Sequence, residues 1–171
     1  ESFSMDNDGK VKINASPNFE SKSSYTFTMV ATDKAGNTSE QEVTLTVKNV
    51  DELAPSFTSS ATATAVENAS TSVVVYTASA TNRDVDGVAN PSVIYSLKPG
   101  VGNASAFVIN ESTGEVTFVK SPDYDTQSSY TFTVVATDQA NNAAEQSVTL
   151  TVKNVDELEP SFTSAATSTA V

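Results

Sequence analysis

The chain has 171 residues, nine Lys and Arg against 21 Asp and Glu, and a formal net charge of −12. It contains no Cys, His or Trp, which excludes a disulfide-stapled module and removes the usual bases and nucleophiles of an active site. So acidic a chain disfavours nucleic acid, which needs a basic footprint, and no apolar run reaches the ~18 residues of a membrane span.

In chain order, Asp6-Asn7-Asp8-Gly9 comes first. Its acid spacing resembles the opening of a calcium-binding loop. Its counterpart later in the chain, Asn110-Glu111-Ser112-Thr113-Gly114, keeps the glycine and loses the acids, so a plain β-turn is favoured. Tyr25, Phe27, Met29 and Ala31, then Val43, Leu45 and Val47, alternate with polar residues, which is the period of a half-buried strand. The next stretch, Lys48 to Phe57, carries the adjacent carboxylates Asp51 and Glu52 and a stop at Pro55. It returns almost unchanged as Lys153 to Phe162, 105 residues later (153 minus 48).

That period organises the whole chain. Residues 16–37 align with 121–142 without a gap, and 52–66 with 157–171. The expected organisation is the back half of a unit (1–51), a complete unit (52–156) and the first strand of a third (157–171), as in a fragment of a longer protein. The complete unit reads as seven short strands near 56–66, 72–80, 92–98, 106–110, 115–119, 129–138 and 146–154. Turn-rich stretches such as Asp86-Gly87 and Pro99 to Asn103 separate them. One buried face per strand makes this an all-β, seven-stranded antiparallel Greek-key sandwich of immunoglobulin-like shape.

The acids of the unit sit at strand ends: Glu67, Asp84 and Asp86, Asp123 and Asp125, Asp138, then Asn154, Asp156 and Glu157. A sandwich gathers its loops at two poles, so the acids gather there as well. Hard divalent cations take about six to eight oxygens from carboxylates, amides and carbonyls, and in an extended loop residues i and i+2 point the same way. Clustered carboxylates without a cation destabilise one another.

The order of these motifs resembles a cadherin repeat in its divergent bacterial form. Glu67 matches the early x-Glu-x, Asp84 and Asp86 the middle Asp-x-Asp, and Asp123-Tyr124-Asp125 the Asp-Arg-Glu before the sixth strand. Asp138 matches the x-Asp-x closing that strand, and Asn154 to Pro160 the Asp-x-Asn-Asp-Asn-x-Pro linker. Ile94 to Leu97 and Thr113 to Val116 are also similar to family hallmarks.

The resemblance implies calcium ligands at two joints. At the first they are Asn18, Glu20, Asn49, Asp51, Glu52, Asp84, Asp86 and Asp138, with carbonyls of Val50, Leu53 and Asn90 as weaker candidates. At the second they are Glu67, Asp123, Asp125, Asn154, Asp156 and Glu157. Asn18 and Asn49 stand where the family prefers Asp, and Leu53 and Leu158 replace the linker's last Asn. The first joint is therefore expected to hold one calcium well and the second to bind more weakly.

The expected function is a calcium-rigidified adhesion or spacer module of a bacterial cell-surface or secreted protein, with neighbouring repeats of the same chain as partners. The competing class is a carbohydrate-binding module, with Tyr25, Phe27, Tyr130 and Phe132 as a sugar platform, though their periodicity favours the core. Paired carboxylates can cleave glycosides, but these lie at domain ends with no cleft in prospect, so an enzyme is not expected. The unpaired strands of 1–51 and 157–171 are further expected to pair between molecules, homophilically.

Overall fold

The computed structural model describes residues 3–83, 92–163 and 167. The chain forms two compact units, one of residues 3–52 and the other built from 53–83 and 92 onward. Among the described residues, no helix is long and apolar enough to cross a membrane.

The first unit is two antiparallel hairpins. β1 (Phe3–Met5) pairs with β2 (Val11–Ile13), and β3 (Ser24–Thr32) with β4 (Thr38–Thr46). Asp6 closes the first turn by accepting the Asp8 and Lys10 N–H groups on Oδ1, at 3.0 and 2.9 Å, so this segment is a turn as expected. Phe3 packs against Tyr25 and Phe27 at centroid distances of 5.9 and 4.7 Å, joining the hairpins through their aromatic faces.

The second unit holds the larger core. Its strands are β5 (Ser56–Phe57), β6 (Thr62–Val66), β7 (Val74–Thr77), β8 (Ala80–Thr81) and β9 (Ile94–Leu97). After a 3-10 turn at Ala104–Ala106 come β10 (Phe107–Ile109), β11 (Glu115–Phe118), β12 (Ser129–Thr137) and β13 (Ala143–Lys153). One sheet runs β6-β13-β12-β9, the other β10-β11-β7, and β5 and β8 form a separate ladder. Phe132, Val134, Val148 and Leu150 from the first sheet meet Tyr76, Val116 and Phe118 from the second in one buried cluster. Alternation on β12 places Phe132 and Val134 inward because its period matches the pleat. Phe132 is fully buried and Tyr130 packs edge-on against Phe107 and Phe118, so these rings build the core and present no flat platform to a sugar.

Two expected strands are broken. The strand expected over 56–66 changes partner at Ser59–Ala61: β5 pairs with β8, while β6 lies parallel to β13. The break is held by polar contacts. The Tyr76 hydroxyl and the Gln146 side-chain amide both bond the Ser60 carbonyl, at 2.9 and 2.8 Å, and Thr62 N–H donates to Ser60 Oγ at 3.1 Å. Burial pushes the Tyr76 phenol above its ordinary pKa, in the direction that keeps the hydroxyl protonated. The strand expected over 72–80 likewise divides into β7 and β8. The sandwich is therefore antiparallel except for the β6–β13 pair. Ser161–Phe162, the repeat counterpart of β5, forms no strand, and Phe162 is 96% exposed.

Gly114 closes the β10–β11 turn at φ +71°, and an added Cβ would lie 2.4 Å from the Ala78 carbonyl oxygen. Ala78 N–H donates to the Gly114 carbonyl at 2.9 Å, so the backbone cannot retreat without losing a bond. Gly114→Ala is expected to destabilise the complete repeat by about 2–3 kcal/mol through strain and displacement. Urea denaturation checks this as a lower midpoint at unchanged slope. A loss below about 0.5 kcal/mol, the usual range of surface changes, would contradict the close approach.

Candidate metal centre

The parallel β6–β13 pair builds one pole of the second unit. Val66 lies opposite Lys153, so the next residue, Glu67, emerges level with the start of the linker. Its carboxylate is 4% exposed and ties two segments together. Oε2 accepts the Tyr124 N–H at 2.9 Å, and Oε1 accepts the Val155 N–H. Asn68 follows in the left-handed region, at φ 59°, which Asn tolerates better than most residues. Its N–H donates to the Pro122 carbonyl at 2.8 Å, and its side-chain amide donates to Glu157 Oε1.

The remaining predicted ligands at this pole are exposed. Asp123 caps its own loop, accepting the Thr126 hydroxyl at 2.7 Å and the Thr126 N–H at 3.0 Å. Those bonds hold its carboxyl below the usual aspartate range. Asp156 Oδ1 accepts the Leu158 N–H at 3.0 Å, while Asp125 and Asn154 lie at the surface. The structure thus brings Glu67 and Glu157 to one place through Asn68. Asp123, Asp125 and Asn154 are not drawn into a shared contact with them. Among the described residues, no three acidic side chains converge on one point.

At the other pole Asp138 is 4% exposed and ends β12. Its two oxygens accept the Asn142 N–H at 2.8 Å and the Asn142 side-chain amide at 3.1 Å. Asp33 repeats this arrangement with Asn37 in the first unit, where the same bonds depress its pKa. Asn82 is also buried, and neither of its side-chain polar atoms has a hydrogen-bond partner. Asp84, Asp86 and Asn90 lie outside the described residues.

In the first unit Asn18 and Glu20 are exposed, and Asn18 Oδ1 accepts the Ser21 N–H at 2.7 Å. Asn49 is half-buried, and its side-chain oxygen is sealed from solvent without a partner. Asp51 is half-buried and Glu52 exposed.

Sequence reasoning missed Asn68 and Asn82. The signal for Asn82 is its spacing, two residues ahead of Asp84 in an alternating Asn-x-Asp-x-Asp run. Asn68 is signalled only by its place directly after a strand-ending acid. The donor set is all oxygen, as a hard cation requires. A buried amide oxygen left without a partner costs about 1–3 kcal/mol, and Asn49 and Asn82 both carry one. These residues fit calcium; Glu67 also accepts one backbone N–H on each oxygen, which leaves each oxygen a free lone pair for a cation.

The cadherin domain model matches residues 61–153, which is more than half of the chain. The chain belongs to the cadherin family. It is 30% identical to protocadherin Fat 2 of Rattus norvegicus over 158 residues, covering 90% of this chain and 4% of that protein. To human protocadherin-1 it is 32% identical over 141 residues, covering 81% of this chain and 13% of that protein. The chain therefore spans only a small part of the curated relatives it matches. Among solved structures, the cis-dimer of protocadherin gammaB7 domains EC3-6 superposes with a TM-score of 0.52 at 23% identity, covering 89% of this chain and 39% of that one. Cadherin domains are adhesion-type extracellular modules, and this chain carries one.

Proposed function

We propose that this chain is a calcium-rigidified segment of a cell-surface adhesion or spacer protein. The observation that carries the reading is Asn49: a buried side-chain oxygen with no protein partner, inside the charged stretch Lys48 to Phe57. A bound cation would give this oxygen the partner it lacks. Asn18, Glu20, Asn49, Asp51 and Glu52 would hold it together with Asp84, Asp86 and Asp138 of the following repeat. Glu67, Asp123, Asp125, Asn154, Asp156 and Glu157 would form half of the next such site.

In this reading the chain holds the back half of one repeat (1–51), a complete repeat (52–156) and the opening of a third (157–171). Neighbouring carboxylates repel at short range, so an unliganded linker does not lock them together and keeps its bending freedom. The cation removes that freedom and leaves a stiff rod. Binding to the folded form alone also stabilises it, by about 2.7 kcal/mol at a hundredfold excess over Kd. In this reading the parent is a bacterial surface protein, although the relatives the chain matches are protocadherins of rat and human. Its partners are neighbouring repeats and further copies of itself. The dimeric state of the protocadherin gammaB7 relative supports the second.

Calorimetric titration of the full chain tests this. Saturable calcium binding that is lost in Asp51→Asn combined with Glu52→Gln is expected. No heat up to millimolar calcium would overturn the reading.

A further inference from the structure

We propose that Asn68 is a positioning residue that holds the linker against its own repeat before any metal arrives. The argument begins with register. Parallel pairing of β6 with β13 brings two strand ends out side by side, Val66 beside Lys153, and both chains leave the sheet in the same direction. Glu67 N–H still donates to the Lys153 carbonyl at 3.1 Å, so the ladder extends one residue past the strand. A parallel edge of this kind has no turn to fix where the two chains go next.

The chain solves this at Asn68. Its backbone turns into the left-handed region at φ 59°, and its N–H is fixed on the Pro122 carbonyl at 2.8 Å. The side chain then points across to the linker and donates to Glu157 Oε1. Glu67 anchors the same two segments one residue earlier, through Tyr124 N–H and Val155 N–H. Glu67 therefore holds the linker by its backbone, and Asn68 holds it by the carboxylate that the calcium reading needs in place.

The residue type is specific to this task. The left-handed backbone admits Gly, Asn and Asp with little strain. Of these, only Asn carries a donor that a carboxylate can accept. Gly removes the contact without moving the backbone, and Asp faces Glu157 with a second negative charge. Asn68 thus fixes the side chain of Glu157 and, through it, residues 154–158.

The consequence for affinity rests on the calcium reading; the consequence for the metal-free linker does not. The test uses the full chain in chelator, with Asn68→Gly, Asn68→Asp and Glu157→Ala, the last at an exposed site where the lost side chain leaves the fold intact. Hydrogen exchange of residues 154–158 is expected to accelerate at least about fivefold in every variant, with β12 amides unchanged. Calcium Kd at this pole is expected to rise about tenfold in Asn68→Gly and further in Asn68→Asp, as for other residues that orient a metal ligand. Unchanged linker exchange in the variants overturns the proposal. So does a calcium Kd that both Asn68 variants leave unchanged when the wild-type chain binds the metal. A wild-type chain that binds no calcium sinks the calcium reading alone, and the metal-free exchange then decides the role of Asn68.

Discussion

Phe132→Ala should lower the stability of the complete repeat by about 4 kcal/mol, a loss read from the urea midpoint at constant slope. The ring is 1% exposed and packs against Phe107 at 4.6 Å and Tyr76 at 5.8 Å, between centroids. β12 lies between β13 and β9, so no edge can close over the hole. The repeat supplies an internal control. Phe27 is the equivalent residue of the first unit, on the same Tyr-Thr-Phe-Thr motif, and it is only half-buried. Phe27→Ala is therefore expected to cost about 1–2 kcal/mol, in line with the smaller apolar area it keeps from water. Equal losses at the two positions would contradict the assignment of the core to the second unit.

Glu67→Ala should cost about 2–3 kcal/mol without any calcium present, because it removes the buried carboxylate that accepts the N–H groups of Tyr124 and Val155. For a repeat of this size that is a fall in Tm of roughly 10–20 °C. Glu67→Gln should cost less, since its amide oxygen still accepts one of the two bonds. Both variants should also weaken calcium binding at the same pole. The discriminating measurement is the melt in chelator. A Tm that falls only when calcium is present would make Glu67 a ligand and nothing more.

Much of the fold was legible because it rests on local periodicity. The alternation from Tyr130 to Ala136 could only be a strand, and the matching stretch at Tyr25 fixed the repeat. The switch at Ser59–Ala61 was not legible, because no Gly or Pro marks it. It is made by Tyr76 and Gln146, which come from distant strands. Burial was not legible from residue type either. Leu45 and Leu150 stand 105 residues apart in matching motifs, yet one is 39% exposed and the other fully buried. Their strands are the same; what covers them differs.

The site was legible as a set of positions and not as a set of roles. Asp138 was read as a ligand from its place after β12, but in the structure it also organises its own turn through Asn142. Asp33 does the same with Asn37, so part of the strand-end acid signal is turn chemistry. Asn68 escaped notice because its value depends on the parallel register of β6 and β13, which no local pattern announces.

Small-angle X-ray scattering of the full chain, with calcium and again with chelator, tests stiffening of the linker most directly. A single well-defined maximum dimension in calcium, giving way to a broad distribution of shorter ones in chelator, is the predicted result. Superimposable curves in the two conditions would leave the acids as ordinary surface charge and the chain as a spacer indifferent to metal.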